Sequence, residues 1–232
     1  LEATEIDRRV DHFFTTMETV ASAATALGRR LAYELGSDLN LLNYMRTDEL
    51  GLSHMIADLL DPNGVHGQGS AFLELFLRLC DFNAAEVADD LSNIRVLREK
   101  RVSEGQIDIV LQSRMVDFLI IENKPYASEQ PDQMERYASY IKRAHVREGG
   151  HLVYLSGRGT ESHTMNASTQ EEFAGRYATI CYTSQGDRPS LSSWLRSCEA
   201  RAKAPKVRVY LSDFADWVEQ NFADLSEEIS NA

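Results

Sequence analysis

Three cysteines in 232 residues, Cys80, Cys181 and Cys198, are too few and too scattered for a disulfide framework or a zinc cage. They read as reduced thiols, and on that ground a cytoplasmic setting is expected. The six histidines show no ligand spacing. No apolar run approaches the roughly 18 to 20 residues that a bilayer span needs, so no membrane role is expected. The N-terminus lacks the basic-then-apolar pattern of a secretion signal. It begins with Leu1 rather than Met, so the chain reads either as a fragment or as carrying a foreign start. Positive charge is scarce as well. The net charge of −12 argues against a protein that coats nucleic acid. It leaves room for an enzyme that acts on nucleic acid, whose own site must concentrate carboxylates. There is no Gly-rich nucleotide loop, no internal repeat, no low-complexity block and no interdomain linker.

What is present is an ordinary core-forming composition, 43% hydrophobic and 26% charged. The most informative stretch runs from Gly105 to Lys124. Two runs rich in branched apolar residues, Ile107 to Leu111 and Val116 to Ile121, flank a short polar turn and predict an antiparallel hairpin. Asp108 interrupts the first run, and Glu122 and Lys124 end the second. A charge within an apolar strand is costly unless it is paired or metal-bound, so three on one hairpin suggest a site. A three-residue turn, Ser113 to Met115, pairs Gln112 with Val116 and Asp108 with Ile120. Asp108, Glu122 and Lys124 then share a face. A plain two-residue turn would separate them, so the three-residue register, or a bulge with the same effect, is expected. Asp117 is expected on the opposite face, beside the turn and in solvent. Two carboxylates at strand ends suit a hard divalent cation, Mg²⁺ above others, with Mn²⁺ as a substitute. The backbone carbonyl of Asn123 offers a further oxygen.

Along the chain, Ile6, Val10, Phe13, Met17, Val20, Ala24, Leu27 and Leu31 have helical spacing and predict one long helix over residues 3 to 34, or two with a break near Gly28. This helix packs on the domain or on a second subunit. Gly36 and Ser37 interrupt it. A helix is expected from Asp48 to Leu60, a turn at Asp61-Pro62-Asn63-Gly64, and a third helix from Ala71 to Cys80 capped by Ser70. Asn93 to Val102 reads as the first core strand. Alternation sets Val96, Arg98 and Lys100 on one side, with Leu97, Glu99 and Arg101 on the other. Glu99 is either a site carboxylate or, more simply, half of a cross-strand ion pair. Residues 132 to 146 predict a helix with Met134, Tyr137, Ala138 and Ile141 inward and Gln133 in its first turn. A strand at His151 to Leu155 then completes a βαβ unit with parallel pairing. After a loop-like Thr160 to Gly175 come a strand at Ala178 to Tyr182 and helices from Ser190 and Pro205. Residues 226 to 232 are expected to fray.

Gly105-x-x-Asp108, then Glu122-x-Lys124, resembles the active-site signature of the PD-(D/E)XK nuclease superfamily, with Ile107 where the name-giving proline would stand. A second point of similarity is Glu49-x-x-Leu52-Ser53 followed by Leu59-Leu60-Asp61-Pro62-Asn63-Gly64, His66-Gly67-x-Gly69 and Phe72-Leu73. It resembles the N-terminal part of one family of that superfamily, with Leu52 in place of a histidine. Gln133, on the helix after the Glu-x-Lys strand, fits the branch that carries a glutamine there. The resemblance implies an α/β fold: a restriction-endonuclease-like αβββαβ core, with a mixed sheet of four to five strands flanked by helices and an N-terminal helical extension. Residues 1–46 are read as that extension and 47–225 as the nuclease-like domain, compact as a whole. It also implies metal-dependent phosphodiester hydrolysis in nucleic acid, DNA first, with restriction or phage defence as a setting. Asp108, Glu122 and the Asn123 carbonyl would bind metal, Lys124 would position the attacking water, and Gln133 would support the site. Glu49 would either reach the metal from its helix or stand in the helix's first turn, where the dipole favours an acid. A catalytically silent binding or assembly subunit on the same scaffold is the alternative. A homodimer or larger complex through the N-terminal helix is a further expectation.

Overall fold

The structure is a computed structural model and describes residues 2–36, 39–83, 90–126, 129–144, 150–184 and 188–230. The chain forms two units, residues 1–40 and 41–232. The first is a single helix, α1 (Glu2–Leu35), which runs through Gly28 without a break. Gly28 costs the helix conformational entropy there but does not interrupt it.

In the second unit a short 3₁₀ turn (Leu41–Tyr44) leads to α2 (Glu49–Leu60) and α3 (Ala71–Leu79). Three antiparallel strands follow, β1 (Arg95–Val102), β2 (Gly105–Ser113) and β3 (Val116–Lys124). Helix α4 (Gln133–Ala144) crosses to β4 (His151–Ser156), which pairs in parallel with β3. Then come α5 (Ala167–Glu172), β5 (Tyr177–Cys181) parallel to β4, α6 (Leu191–Arg201) and α7 (Pro205–Ser230). The five strands form one mixed sheet, as expected, and stand in it in sequence order. No described helix is long and apolar enough to cross a membrane. The break expected at Ser37, the helix end expected at 146 and residues 231–232 lie outside the described residues. The backbone of 226–230 continues α7, where fraying was expected.

The sheet separates two apolar clusters. On one face Leu119 and Ile121 of β3 join Leu52 and Ile56 of α2, Phe72 and Phe76 of α3, Trp194 of α6 and Phe214 of α7. On the other, Ile120 meets Met134, Tyr137, Ala138 and Ile141 of α4. Period-two alternation along β3 therefore aims Glu122 and Lys124, like Ile120, toward the α4 side, and Asn123 toward α2.

The hairpin reaches this outcome by a different route from the three-residue turn. The turn has two residues, Arg114 (φ 49°) and Met115 (φ 70°), with Ser113 opposite Val116. Positive φ at both central residues is the type I′ geometry that suits strand twist. Neither residue advertises it, because such turns favour Asn and Gly. Phe118 is then an extra residue in β3, since Gln112 pairs with Asp117 but Leu111 pairs with Leu119. This bulge restores the face that the short turn would have lost. The resulting register, Ile109 opposite Ile121, carried one step on sets Asp108 across from Glu122, not from Ile120.

The bulge also moves Asp117. It is not in solvent on the far face but buried on the α4 side. Gln112 Nε2 donates to it at 2.5 Å, and Lys100 Nζ and the Tyr140 hydroxyl of α4 donate to its other oxygen. Lys100 reaches it because Glu99 has φ 51°, which breaks the alternation expected of β1. Arg98 stays on the side of α2 while Lys100 turns to α4. Burial raises the Asp117 carboxyl, but the three donors outweigh it and hold it below the usual carboxylate range. Two smaller expectations also change. Ser70 does not cap α3, and its hydroxyl donates to Glu74 at 2.7 Å instead. The segment expected to be only loop contains α5, capped by the Asn166 side chain.

Candidate active site

Glu49, Asp108, Glu122, Lys124 and Gln133 come together at one end of the central hairpin, drawn from α2, β2, β3 and α4. Lys124 is the hub. Its Nζ lies 2.6 Å from Glu122 Oε1 and 2.8 Å from Glu49 Oε1. Glu49 thus does more than favour its helix dipole. Its position follows from the start of α2, where the Asp48 side chain accepts from the backbone of Gly51 at 2.9 Å. A Cβ on Gly51 would lie 2.0 Å from the Arg46 carbonyl oxygen, so this entry into α2 requires glycine.

Gln133 opens α4 and is buried. Its Nε2 donates to Glu122 Oε1 at 2.5 Å, and its Oε1 accepts from the backbone of Gln130 at 3.0 Å. The second bond fixes which end of the amide faces Glu122. Tyr137, one turn on, is core and polar contact at once. Its ring packs with the α4 cluster, while its hydroxyl donates to the Gln106 carbonyl at 2.6 Å and lies 3.3 Å from Gln133 Nε2. Burial and the Glu122 charge push that phenol up to about 12.

Asp108 Oδ2 accepts from the backbone N–H of Asn123 at 2.8 Å, a bond that ties β2 to the Glu-x-Lys segment. Burial pushes the Asp108 carboxyl up to about 6, against the pull of Lys124 and the Asn123 N–H. Glu122 is 1% exposed, and burial together with the Asp108 charge pushes it up to about 8 despite Lys124. Burial alone would lower Lys124, but the carboxylates of Glu122, Asp108 and Glu49 hold its ammonium above the ordinary lysine value. Glu122 Oε2 is buried and accepts no hydrogen bond. Such an orphan is expensive unless something cationic or donating meets it. Glu99 makes none of the ion pairs among the described residues, so the cross-strand pair expected of it is absent there. Its charge instead adds to the upward push on Asp108. Among the described residues no three His, Cys, Asp or Glu side chains stand close enough to form a metal cage without rearrangement.

A sequence model of the PD-(D/E)XK nuclease superfamily matches residues 39–216. The chain belongs to that superfamily. Comparison with curated proteins and with solved structures returns no match.

Three residues of this candidate site, Ser53, Tyr182 and Gly157, were given no role by the sequence. Asn123 donates through Nδ2 to Ser53 Oγ of α2 at 3.0 Å and accepts through Oδ1 from the Tyr182 hydroxyl at 2.8 Å. This buried chain clamps the Glu122-Asn123-Lys124 segment to the helix that carries Glu49. Ser53 had a signal, since it stands four residues after Glu49 in the quoted motif and so on the same helix face. Tyr182, 59 residues beyond Asn123, had none. Gly157 completes the group. It donates to the Lys124 carbonyl at 2.9 Å, and a Cβ there would sit 1.9 Å from the Pro125 carbonyl oxygen.

The His66 stretch of the motif is architectural. Its Nδ1 accepts from the Gln68 backbone at 3.0 Å, which leaves Nε2 to donate to the Asp61 carbonyl at 2.9 Å. The ring stacks on Phe72 at 4.9 Å. Its bonds all lie within its own loop.

Proposed function

We propose that this chain is a divalent-cation-dependent nuclease that hydrolyses phosphodiester bonds, with DNA as substrate and restriction or phage defence as a fitting role. The observation that carries the reading is the pair of buried carboxylates, Asp108 and Glu122, beside a paired lysine. Both are raised by burial, and one carboxylate oxygen has no partner. Superfamily membership adds nuclease chemistry and a nucleic acid substrate as the class.

The donor set fits a hard cation. Carboxylate oxygens that are buried and short of donors gain from a cation more than solvated ones do. Asp108 and Glu122, with the Asn123 carbonyl and Glu49 completing the set, would hold Mg²⁺, or Mn²⁺ in its place. When bound, such a cation polarises the phosphoryl oxygen and lowers the pKa of a coordinated water. The remaining work falls to the chain. Lys124, kept protonated by its carboxylate neighbours, donates from Nζ to orient the attacking water and to stabilise negative charge developing on phosphate. The Gln133 amide holds Glu122 by one oxygen and leaves Oε2 available. Asn123, Ser53 and Tyr182 keep Lys124 in register with Glu49.

The test is cleavage of a panel of single- and double-stranded DNA and RNA by wild type and Lys124→Ala, with Mg²⁺, Mn²⁺ or chelator. DNA cleavage that needs the cation and drops at least about a hundredfold in the variant is expected. Equal cleavage by the variant would reject the assigned site. A folded wild type that neither cuts nor binds cation would instead favour the silent binding subunit.

A further inference from the structure

α1 carries a pattern that the site does not use. Val10, Phe13, Met17, Val20, Ala24 and Leu27 follow one another at steps of three, four, three, four and three. Ile6 and Leu31 extend the sequence pattern by a step of four at each end. This is the 3.5-residue period of a narrow coiled-coil seam, where a helix lying on a globular core shows a broader stripe. Val10, Phe13, Met17, Val20 and Leu27 are 45–58% exposed, and Phe14, which stacks edge-on to Phe13, is 59% exposed. Thr16, Thr19 and Thr25 donate their hydroxyls to carbonyls one turn back in the same helix. What α1 offers along this line is therefore apolar surface in register.

We propose that α1 pairs with α1 of a second copy of this chain as a two-stranded antiparallel coiled coil. The occupant is chosen by size. In an antiparallel pair centred between Met17 and Val20, Val10 meets Leu27 of the second copy, Phe13 meets Ala24, and Met17 meets Val20. Beside the seam, Phe14 meets Ala21 and Thr16 meets Ala23. Each phenylalanine faces an alanine, so the layers have similar volume. A parallel pair would put each residue against itself. The two Phe13 rings would crowd one layer, and the two Ala24 methyls would leave another underfilled. Charge points the same way. Residues 2–11 hold four acids (Glu2, Glu5, Asp7, Asp11) and two arginines (Arg8, Arg9), a net of −2. Residues 29–34 hold Arg29, Arg30 and Glu34, a net of +1. The antiparallel arrangement sets −2 against +1, and the parallel one sets −2 against −2.

Sedimentation of the full chain across a concentration series tests the association. The expected mass rises to twice 26.2 kDa, and Met17→Glu, with an unchanged circular dichroism spectrum, returns it to 26.2 kDa. Direction is read by oxidation. A Val10→Cys, Leu27→Cys double variant should form disulfide-linked dimers while each single variant does not. Cys80, Cys181 and Cys198 are buried and do not compete. A wild type that stays at 26.2 kDa at every concentration overturns the proposal. If that monomer also protects the α1 amides from hydrogen exchange, the stripe belongs to the chain's own second unit. Single variants that link as well as the double would overturn the antiparallel arrangement.

Discussion

Glu122 concentrates the electrostatic cost of the site. Its side chain is buried, one oxygen is shared by Lys124 and Gln133, and the other has no partner. Burial and the Asp108 charge raise its pKa to about 8, so the folded chain keeps a proton that the unfolded chain has already released. A raised carboxyl gives stability that is present below the ordinary carboxylate range and is lost as pH climbs through about 8. Asp108, raised to about 6, acts in the same direction over a lower window. A divalent cation binds the ionised form and opposes that loss. The melting temperature of cation-free protein should therefore fall between pH 5.5 and 8.5, and the rise produced by Mg²⁺ should grow over the same range. Glu122→Gln, which has no proton to lose there, should flatten both trends. A Mg²⁺ effect of equal size in wild type and Glu122→Gln would show that the cation binds elsewhere.

At the scale of elements the decisive feature is the Phe118 bulge, which orients Asp108 and Asp117 together toward α4. The Asp117 cluster locks it, since Gln112 on β2, Lys100 on β1 and Tyr140 on α4 all converge on one carboxylate. The net shift at Asp117 is downward, so its contribution is present above the ordinary carboxylate range and is lost as pH falls through its folded value. Asp117→Asn should cost about 1–3 kcal/mol at pH 7 by urea denaturation. The difference from wild type should shrink toward pH 3, and a cost that is the same at both pH values would mean that the charge is not what holds the cluster. This bulge also marks where the sequence could be read and where it could not. A three-residue turn or an equivalent bulge was needed to set Asp108 on the face of Glu122 and Lys124, and the bulge supplies it; the three residues themselves, as charges set into apolar strands, were legible. The turn was not, because Arg114 and Met115 adopt positive φ without the residues that usually signal it. Glu99 bends β1 in the same silent way. The hairpin, the βαβ crossover and the burial of α4 through Met134, Tyr137, Ala138 and Ile141 all followed from local pattern. The Ser53–Asn123–Tyr182 chain depends on tertiary contacts across the sheet, which no local window contains.

Across the whole molecule, 36 acids face 24 lysines and arginines, and some of the cations are engaged in ion pairs. Arg196 is held by Glu199, Asp216 and Glu219, Lys142 by Glu172, Arg143 by Glu104, and Lys100 by Asp117. Non-specific affinity for nucleic acid comes from cations that neutralise phosphates and release counterions. A chain that carries a net −12 has little of that term, and its site adds further repulsion from Asp108 and Glu49. In the proposed nuclease, substrate would then be held mainly through a bound cation and a few local contacts. This can be measured with Lys124→Ala protein, which should bind without cutting, by fluorescence anisotropy of a labelled duplex. Binding should be detectable with Mg²⁺ and disappear in chelator. Its logarithm should fall against the logarithm of salt with a slope no steeper than about −3, the signature of roughly three neutralised phosphates. Tight binding that persists in chelator, with a slope typical of six to ten phosphate contacts, would mean that the surface carries a basic track which the ion pairs described here leave intact. The cation would then serve the cutting step and not the holding of substrate.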